Sequence, residues 1–267
     1  MTNDFIASAA QLACLLEVSA PKPGNVSPGK HFSDARYEDF LASAAAIGPA
    51  FAADLPLGAT IHAAIRATAR WTRSNTNLGI VLLLAPLARA ARSPRPLRDA
   101  LHDVLGATTV EDAREAYAAI RLARPGGLGT APEQDIAAEP TVTLMEAMRL
   151  GVERDNIAME YTTDFGETFE IGYPAVVAAR ARGVSWQDTT VETYLAILGS
   201  LPDSLIARKF GEDAAIYVCS RAARLAKRGA EGIAELDGEL REHGWNPGTT
   251  ADLTAAALYV ALLSRLW

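Results

Sequence analysis

The stretch Thr250-Ala-Asp-Leu-Thr-Ala-Ala-Ala-Leu-Tyr-Val-Ala-Leu-Leu-Ser-Arg-Leu266 shows the composition that decides the fold of this chain. It is rich in alanine and leucine and contains neither proline nor glycine, so it predicts a long helix. Alanine is the best helix former and a poor strand former. It dominates nearly every segment of the sequence, whereas aromatic residues make up only 7%. The sequence therefore predicts an all-α protein.

The overall composition argues against several classes of protein. The 267 residues are 49% hydrophobic and 21% charged, which is too apolar for a disordered chain and too charged for a multi-span membrane protein. The net charge of −7 argues against a broad basic face for nucleic acid. Cys14 and Cys219 lie in apolar helical stretches and are predicted to be buried free thiols. With no apparent secretory signal or membrane span, we expect a cytoplasmic protein with no nucleic-acid or membrane partner.

Prolines, glycines and polar clusters divide the chain into predicted helices. A first helix ends near Val18, before the proline-rich segment, and Thr109 with Asp112 forms a capping box for a helix that ends at Arg124. Further helices are predicted through Phe40 to Ile47, up to Gly106, and over 57–72, 76–91, 141–150, 154–169, 174–182, 188–199, 203–209, 212–228, 231–242 and 250–266. The longest irregular segment is 125–140. We expect one domain over residues 1–267, a bundle of antiparallel helices with no sheet and about 60–70% helix.

Polar clusters that interrupt an apolar helical scaffold are the places where chemistry is expected. The first extends from Glu17 to Ser27. Glu17 lies on the last turn of a helix, where the helix dipole disfavours a carboxylate, and Lys22 stands between two prolines that can present its ammonium to a phosphate. The alternative is a helix stop with a solvated lysine. His31 and Asp34 follow on the same loop, either as a base or metal ligand or as a surface residue and a helix cap.

The second cluster, Asn75-Thr76-Asn77, precedes the most apolar predicted helix. Free backbone N–H groups at a helix start, together with amide and hydroxyl side chains, form a natural anion site. The alternative is ordinary N-capping by Asn75.

Two further breaks carry charged residues or glycines. The segment Gly126-Gly127-Leu128-Gly129 is either a flexible lid or a plain connection. Asp155 begins a run of carboxylates at near-helical spacing, which is either a divalent-metal site or a solvated helix face. Asp203 has the position of an N-cap and Arg208 that of a C-terminal dipole partner, whereas a functional interpretation has Arg208 bind a phosphate or carboxylate. Asp203 and Asp155 are the candidate metal ligands.

In this order, the polar breaks resemble the triphosphoribosyl-dephospho-CoA synthase family. The matching stretches are Glu17 with Pro21-Lys22-Pro23-Gly24-Asn25-Val26, then Asn75-Thr76-Asn77-Leu78-Gly79, then Asn246-Pro247-Gly248-Thr249-Thr250-Ala251-Asp252-Leu253, with weaker agreement from Asp203 to Gly211. The first and last motifs are fairly specific together, and the match spans nearly the whole chain. The resemblance implies an all-α fold.

The resemblance also implies a transferase that uses ATP as a substrate, with Mg²⁺. In the family, the 2′-hydroxyl of dephospho-CoA attacks C1′ of the ATP ribose and displaces adenine, which builds a prosthetic-group precursor. Such a reaction needs a carboxylate near an oxocarbenium-like centre, a base for the hydroxyl and cations for the triphosphate. The resemblance implies Glu17 or Asp34 as the catalytic carboxylate. The residues that it implies for substrate or phosphate binding are Lys22, Asn25, Asn75, Thr76, Asn77 and Arg208.

Two parts of the chain depart from the family pattern. The usual motif Asn-Thr-His-Lys-Gly has Asn77 and Leu78 here in place of its histidine and lysine, which removes a cation from the proposed phosphate site. Residues 125–170 also diverge and look like a CitG-like branch of archaea and one-carbon-metabolising bacteria. The acceptor is therefore either dephospho-CoA or a furan or pterin precursor of a methanopterin- or methanofuran-type coenzyme. An alternative of another class is a non-catalytic helical binding or assembly protein.

The last predicted helix ends in an apolar edge from Leu262 to Trp267. Such an edge is either a homodimer interface or part of the core.

Overall fold

Alanine-rich segments fold as helices throughout the part of the chain that the structure describes. The structure is a computed structural model that describes residues 1–32 and 35–267. Helices make up about two thirds of the chain, which confirms the all-α prediction. Within the described residues no strand is formed, and extended pairing is limited to two isolated bridges, Ser27 with Lys30 and Phe32 with Ala35.

Most helices lie where the sequence predicts them, with ends shifted by a few residues. They are α1 (Asn3–Ser19), α2 (Tyr37–Ala46), α3 (Gly48–Ala52), α4 (Leu57–Thr68), α5 (Leu78–Ala90), α6 (Leu97–Gly106), α7 (Val110–Ala123), α8 (Leu144–Gly151), α9 (Asn156–Thr162), α10 (Tyr173–Ala181), α11 (Trp186–Leu198), α12 (Ser204–Phe210), α13 (Glu212–Leu225), α14 (Gly229–Glu242) and α15 (Gly248–Leu263). A π-helical turn, Thr168–Gly172, precedes α10, and a 3₁₀ turn, Ala226–Arg228, follows α13.

The described residues form two compact units. Unit 1 comprises Met1–Leu15 and Glu38–Gly166, and unit 2 comprises Leu16–Tyr37 and Glu167–Trp267. The single domain expected over residues 1–267 stays a prediction.

Helix α5 forms much of the core of unit 1. Every one of its residues except Arg89 is buried, and it packs against α4, α6 and α9. A helix that is apolar on all sides must be surrounded by protein, which accounts for this position. In the described part of the chain, no helix combines the length and the apolar character that crossing a bilayer requires.

Helix α15 has the corresponding place in unit 2. All of its residues except Gly248 and Asp252 are buried, and it packs against α10, α11 and α12. An apolar cluster on α11, α12, α13 and α14 extends this core and includes Tyr194 and Leu240.

The apolar end of the chain is only partly exposed. Leu262 and Leu263 are buried in unit 2, whereas Trp267 is 70% exposed and stacks on Trp186 with their ring centroids 5.1 Å apart. Leu262 and Leu263 therefore belong to the core of unit 2. The homodimer stays a prediction.

The helix predicted over residues 154–169 forms only in its first half, as α9, and its second half is wrong because the chain turns after Thr162. Asp164 and Phe165 both adopt left-handed backbone conformations, with φ of 51° and 59°. The Phe165 ring is fully buried near the ring of Tyr161, with their centroids 5.9 Å apart. Burial of this ring offsets the backbone strain, a tertiary effect that local helix propensity does not reveal.

Two smaller differences concern helix ends. The helix predicted to reach residue 72 ends at Thr68, and the next begins at Leu78 rather than at residue 76. The predicted capping box is confirmed, because Thr109 Oγ1 accepts from the Asp112 N–H and Asp112 accepts from the Thr109 N–H. Residues 125–140 are irregular, as expected.

Candidate functional site

In unit 2, the break after α1 forms a tight loop around the Lys22 side chain. Helix α1 ends at Ser19 because the two prolines that follow cannot continue it. The Lys22 Nζ lies 2.9 Å from Glu17 Oε1 and donates to the Glu17 carbonyl oxygen at 2.5 Å. It also lies 3.4 Å from each of two further backbone carbonyl oxygens. A cation at this position is favourable, so Lys22 caps the C-terminal end of α1.

Burial shifts the proton equilibria of this ion pair. Glu17 is 2% exposed and Lys22 is 0% exposed. Burial raises the pKa of Glu17 and lowers the pKa of Lys22, and the charge of each partner opposes the shift of the other. A carboxylate with a raised pKa accepts a proton more readily, which is the property that a general base needs.

Helix α14 holds the backbone of the same loop. Asp237 Oδ1 accepts from the Gly24 N–H at 2.9 Å, and Arg241 Nη2 donates to the Asn25 carbonyl oxygen at 2.8 Å. Gly24 has a φ of 68°, and a Cβ at this position would lie 2.7 Å from Leu240 Cδ1. Glycine is therefore required here both by the left-handed backbone and by the close approach of α14.

Helix α11 contributes a buried tyrosine to the loop. The Tyr194 hydroxyl donates to the Pro23 carbonyl oxygen at 2.9 Å. Burial raises the pKa of Tyr194 well above its ordinary value, and the charges of Asp203 and Glu17 add to the shift. Tyr194 therefore stays protonated as a hydrogen-bond donor, and both carboxylates lie close enough to influence it.

Asp203 is a buried N-cap that joins two helices. Its Oδ1 accepts from the N–H groups of Leu205 and Ile206 in the first turn of α12, at 2.9 and 3.0 Å. Its Oδ2 accepts from the N–H and the hydroxyl of Thr250 in α15, at 2.7 and 2.8 Å. Burial raises the pKa of Asp203, and these four hydrogen bonds oppose that shift.

The motif at the start of α15 connects the loop with Asp203. Asn246 Oδ1 accepts from Asn25 Nδ2 at 2.8 Å, while Thr250 four residues later binds Asp203. In the same region, Arg208 Nη1 donates to the Ser204 hydroxyl, which is hydrogen-bonded to Thr249. The structure thus brings five predicted site residues of unit 2 into one polar cluster. The unit 2 cluster comprises Glu17, Lys22, Asn25, Asp203 and Arg208, together with Asn246 and Thr250.

In unit 1, the second predicted cluster surrounds the start of α5. Asn75 Oδ1 accepts from the N–H of Leu78, the first residue of α5, at 3.2 Å, but the N-cap position is Asn77, whose side chain makes no capping hydrogen bond. The Thr76 hydroxyl is 2.6 Å from that of Ser43, and Asn77 Nδ2 donates to Thr68 Oγ1 at 3.1 Å. Thr76 and Asn77 are buried, and their contacts tie the start of α5 to α2 and α4.

Comparison with known proteins identifies the family. A family model named CitG and described as ATP:dephospho-CoA triphosphoribosyl transferase matches residues 3–267. The chain belongs to the CitG family. The resemblance carried by the three sequence motifs is therefore confirmed.

Two relatives illustrate the similarity of CitG proteins to this chain. A curated protein from Stutzerimonas stutzeri (strain A1501), assigned as a 2-(5''-triphosphoribosyl)-3'-dephosphocoenzyme-A synthase, is 29% identical over 109 residues. That match covers 38% of this chain and only 37% of the relative. A crystal structure from Archaeoglobus fulgidus, assigned as a triphosphoribosyl-dephospho-CoA synthase, is 28% identical with a TM-score of 0.68. It covers 83% of this chain and 97% of the archaeal chain.

The departure from the CitG pattern at Leu78 has a structural counterpart. Leu78 is the first residue of α5 and is only 5% exposed. A leucine at this buried position adds to the core of unit 1, but it supplies no cation for a phosphate.

The described carboxylates do not by themselves form an Mg²⁺ site. Among residues 1–32 and 35–267, no group of three or more histidine, cysteine, aspartate or glutamate side chains could hold a metal ion. Asp203 is saturated by four donors, and Asp155 caps α9 by accepting from the Ile157 N–H at 2.8 Å. Asp34 lies outside the described residues. Mg²⁺ therefore stays a prediction of the family resemblance, as do the metal-ligand roles of Asp203 and Asp155.

Several residues of this site were not singled out by sequence reasoning. Tyr194, Asp237 and Arg241 hold the loop, but each lies in a segment whose pattern is that of an ordinary amphipathic helix. Asn246 and Thr250 lie in a recognised motif, and their pairing with Asn25 and Asp203 emerges only in the fold. Helical periodicity does not distinguish such positions, and the fold is what reveals them.

Proposed function

We propose that this CitG protein is a triphosphoribosyl-dephospho-CoA synthase-type transferase with small-molecule substrates. The 2′-hydroxyl oxygen of dephospho-CoA forms a bond to C1′ of the ATP ribose, and the bond from C1′ to the adenine nitrogen breaks. The hydroxyl proton passes to a base and is balanced by the proton that the departing adenine takes up. The products are triphosphoribosyl-dephospho-CoA and adenine.

The unit 2 cluster is the observation that supports this proposal most strongly. It joins two motifs that lie more than 200 residues apart, through the 2.8 Å hydrogen bond between Asn25 and Asn246. Asp203 adds a third motif through Thr250. Convergence of separate polar breaks on one place is expected of a substrate site.

We assign the carboxylate chemistry to Glu17. Its buried position raises its pKa, which suits a group that accepts the hydroxyl proton. An ionised Glu17 also stabilises positive charge that develops at C1′. Lys22 keeps this carboxylate in place through the contact at 2.9 Å.

We assign phosphate binding in unit 2 to Arg208, a half-buried cation whose guanidinium suits phosphate oxygens. Lys22 is fully enclosed by protein oxygens, so its predicted phosphate contact stays a prediction and its geometry favours ordering the loop. In unit 1, the role of Asn75, Thr76 and Asn77 in orienting a phosphate or ribose is likewise proposed.

Adenine release tests the proposal directly. The protein is incubated with ATP, Mg²⁺ and dephospho-CoA, and adenine is quantified by chromatography. We expect one adenine per dephospho-CoA consumed and none when dephospho-CoA is omitted. Absence of adenine, together with no protection by ATP against thermal unfolding, would remove ATP as the substrate.

Leu78 favours a second candidate acceptor. Loss of the usual cation at this position points to substrates other than the usual pair, namely a furan or pterin precursor with an activated phosphorylated partner. Assaying such precursors beside dephospho-CoA in the same reaction separates the two, because only the true acceptor is consumed. A non-catalytic role predicts instead that Glu17→Ala and Lys22→Ala leave the cellular phenotype intact.

A further inference from the structure

Helix α14 places one carboxylate against both ends of the loop that carries the first CitG motif. Asp237 Oδ1 accepts from the Gly24 N–H at 2.9 Å, and Asp237 Oδ2 accepts from Lys30 Nζ at 2.6 Å. Between these anchor points the chain reverses at a turn closed by two backbone hydrogen bonds, each 2.9 Å long, between Ser27 and Lys30. A single side chain thus fixes where the loop segment 24–30 begins and ends.

Arg241, one helical turn further along α14, completes this arrangement. Its Nε donates to Asp237 Oδ1 at 2.9 Å, and its Nη2 donates to the Asn25 carbonyl oxygen at 2.8 Å. Arg241 therefore orients the carboxylate and at the same time holds the backbone of Asn25. Hydrogen bonds between charged groups are the strong ones, so this pair is well suited to fix the loop.

The contacts lie immediately beside the site without being part of it. The side chain of Asn25 binds Asn246. The backbone is held on both sides of that side chain, by the hydrogen bond from the Gly24 N–H to Asp237 and by the hydrogen bond from Arg241 to the Asn25 carbonyl oxygen. A shift of this backbone would displace the Asn25 amide from the unit 2 cluster. A displacement of about 1 Å can cost a reaction about 100-fold in rate.

We propose that Asp237, oriented by Arg241, is a positioning residue that sets the geometry of the Gly24–Lys30 loop for the transferase reaction. The inference rests on the proposed function for its catalytic consequence, but its structural content is independent of that function. Asp237 acts through the loop and does not contact substrate. The loop keeps its remaining anchors at Lys22, Tyr194 and Asn246, so we expect the fold to survive when Asp237 is changed.

Three variants test the positioning role. Asp237→Ala removes all three contacts, and Asp237→Asn keeps the size of the side chain but loses its charge. Arg241→Lys keeps the charge but cannot make both of its contacts, because an ammonium lacks the guanidinium fork. The matched control is Glu235→Gln on the same helix, since Glu235 pairs with Arg221 and Arg228 rather than with the loop.

We expect kcat for adenine release to fall about 10- to 100-fold in Asp237→Ala and Arg241→Lys, with KM for ATP changed less than about 3-fold. The kcat of Asp237→Asn should lie between the kcat of those two variants and that of the wild type, and the kcat of Glu235→Gln should equal that of the wild type. Hydrogen exchange should show faster exchange of the amides in residues 24–30 in the same variants. A purely structural role would instead lower the thermal midpoint and leave kcat of the folded fraction unchanged.

The proposed transferase function and the positioning role of Asp237 can be overturned independently of each other. If the wild type releases no adenine, the proposed function fails, while hydrogen exchange still tests the loop. If exchange in residues 24–30 is the same in Asp237→Ala and wild type, or kcat is retained within about 2-fold, the positioning role is overturned. Should Asp237→Ala not fold, Asp237→Asn is judged by the same two criteria.

Discussion

At the scale of single residues, Glu17 and Lys22 form a tightly enclosed ion pair in unit 2. Both side chains are almost completely buried, and four protein oxygens lie around the ammonium within 3.4 Å. Removing one member of a buried ion pair leaves the other as an uncompensated buried charge, which is strongly destabilising. The energetic worth of either residue therefore depends on the presence of the other.

This dependence predicts strongly non-additive substitutions. Lys22→Met leaves a buried carboxylate without its cation and should lower the free energy of unfolding by about 3 to 5 kcal/mol. Glu17→Gln combined with Lys22→Met should cost clearly less than Lys22→Met alone. Urea unfolding of both single variants and the double variant measures the coupling. Additive costs would show that the two side chains do not act as a pair.

Asp237 gives a pH-dependent prediction at the same scale. Burial alone would raise its pKa, but the hydrogen bonds from Lys30 and the Gly24 N–H, with the charge of Arg241, lower it below the ordinary value of 3.8. Because the folded pKa is the lower one, the ionised carboxylate adds stability that is fully present above pH 3.8. That stability is lost as the pH falls through the folded pKa.

The measurement compares wild type and Asp237→Asn by urea unfolding at several pH values. The wild type should be the more stable at neutral pH, and the difference should shrink as the pH falls below 3.8. A difference that stays constant down to the lowest pH would contradict the assignment of a lowered pKa.

At the scale of secondary structure, Asp203 links the N-terminal ends of α12 and α15. An ordinary N-cap serves one helix, whereas this carboxylate also accepts from two Thr250 donors in the second. Its loss would leave buried donors of both helices without a partner. The buried aspartate thus supports the geometry of the α15 motif as well as the start of α12.

Asp203→Ala should therefore cost more than the loss of a simple cap. We expect a decrease in the free energy of unfolding of about 2 to 4 kcal/mol, from the lost cap plus the unpaired Thr250 donors. The matched control is Ser185→Ala, which removes the exposed N-cap of α11 and should cost about 1 kcal/mol. Equal costs for the two variants would mean that the contact with Thr250 contributes nothing.

The helices show which parts of the fold can be predicted from local sequence. Alanine content, prolines and the capping box at Thr109 are local signals, and they place most helices within a few residues. The turn at Asp164 and Phe165 has no local signal, because burial of the Phe165 ring is what stabilises its left-handed backbone. Local signals therefore failed where tertiary packing overrides helix propensity.

At the scale of the whole molecule, the site also contains residues that local sequence reveals and residues that only the tertiary fold reveals. Glu17, Lys22 and Asn25 stand out because prolines and a glycine interrupt an apolar helix. Asp237 does not stand out, because its partner Gly24 lies 213 residues away in the sequence. Residues that carry a motif can be found from sequence, whereas residues that hold the motif in place are revealed by the fold.

The family assignment covers both compact units of the chain. The CitG model matches residues 3–267, and each unit has its own apolar core, built on α5 in unit 1 and on α15 in unit 2. Three of the polar breaks that mark the family in the sequence converge in the unit 2 cluster. The central claim is that this cluster is where the transferase reaction takes place.

Steady-state adenine release from ATP and dephospho-CoA by Arg208→Gln tests that claim most directly. The control is Arg182→Gln, since Arg182 is an exposed arginine of unit 2 that pairs with Glu192. The account predicts a KM for ATP raised about 10- to 100-fold in Arg208→Gln, from lost charged hydrogen bonds to phosphate, and wild-type kinetics in the control. Identical KM and kcat in the two folded variants would contradict a phosphate-binding role for the unit 2 cluster.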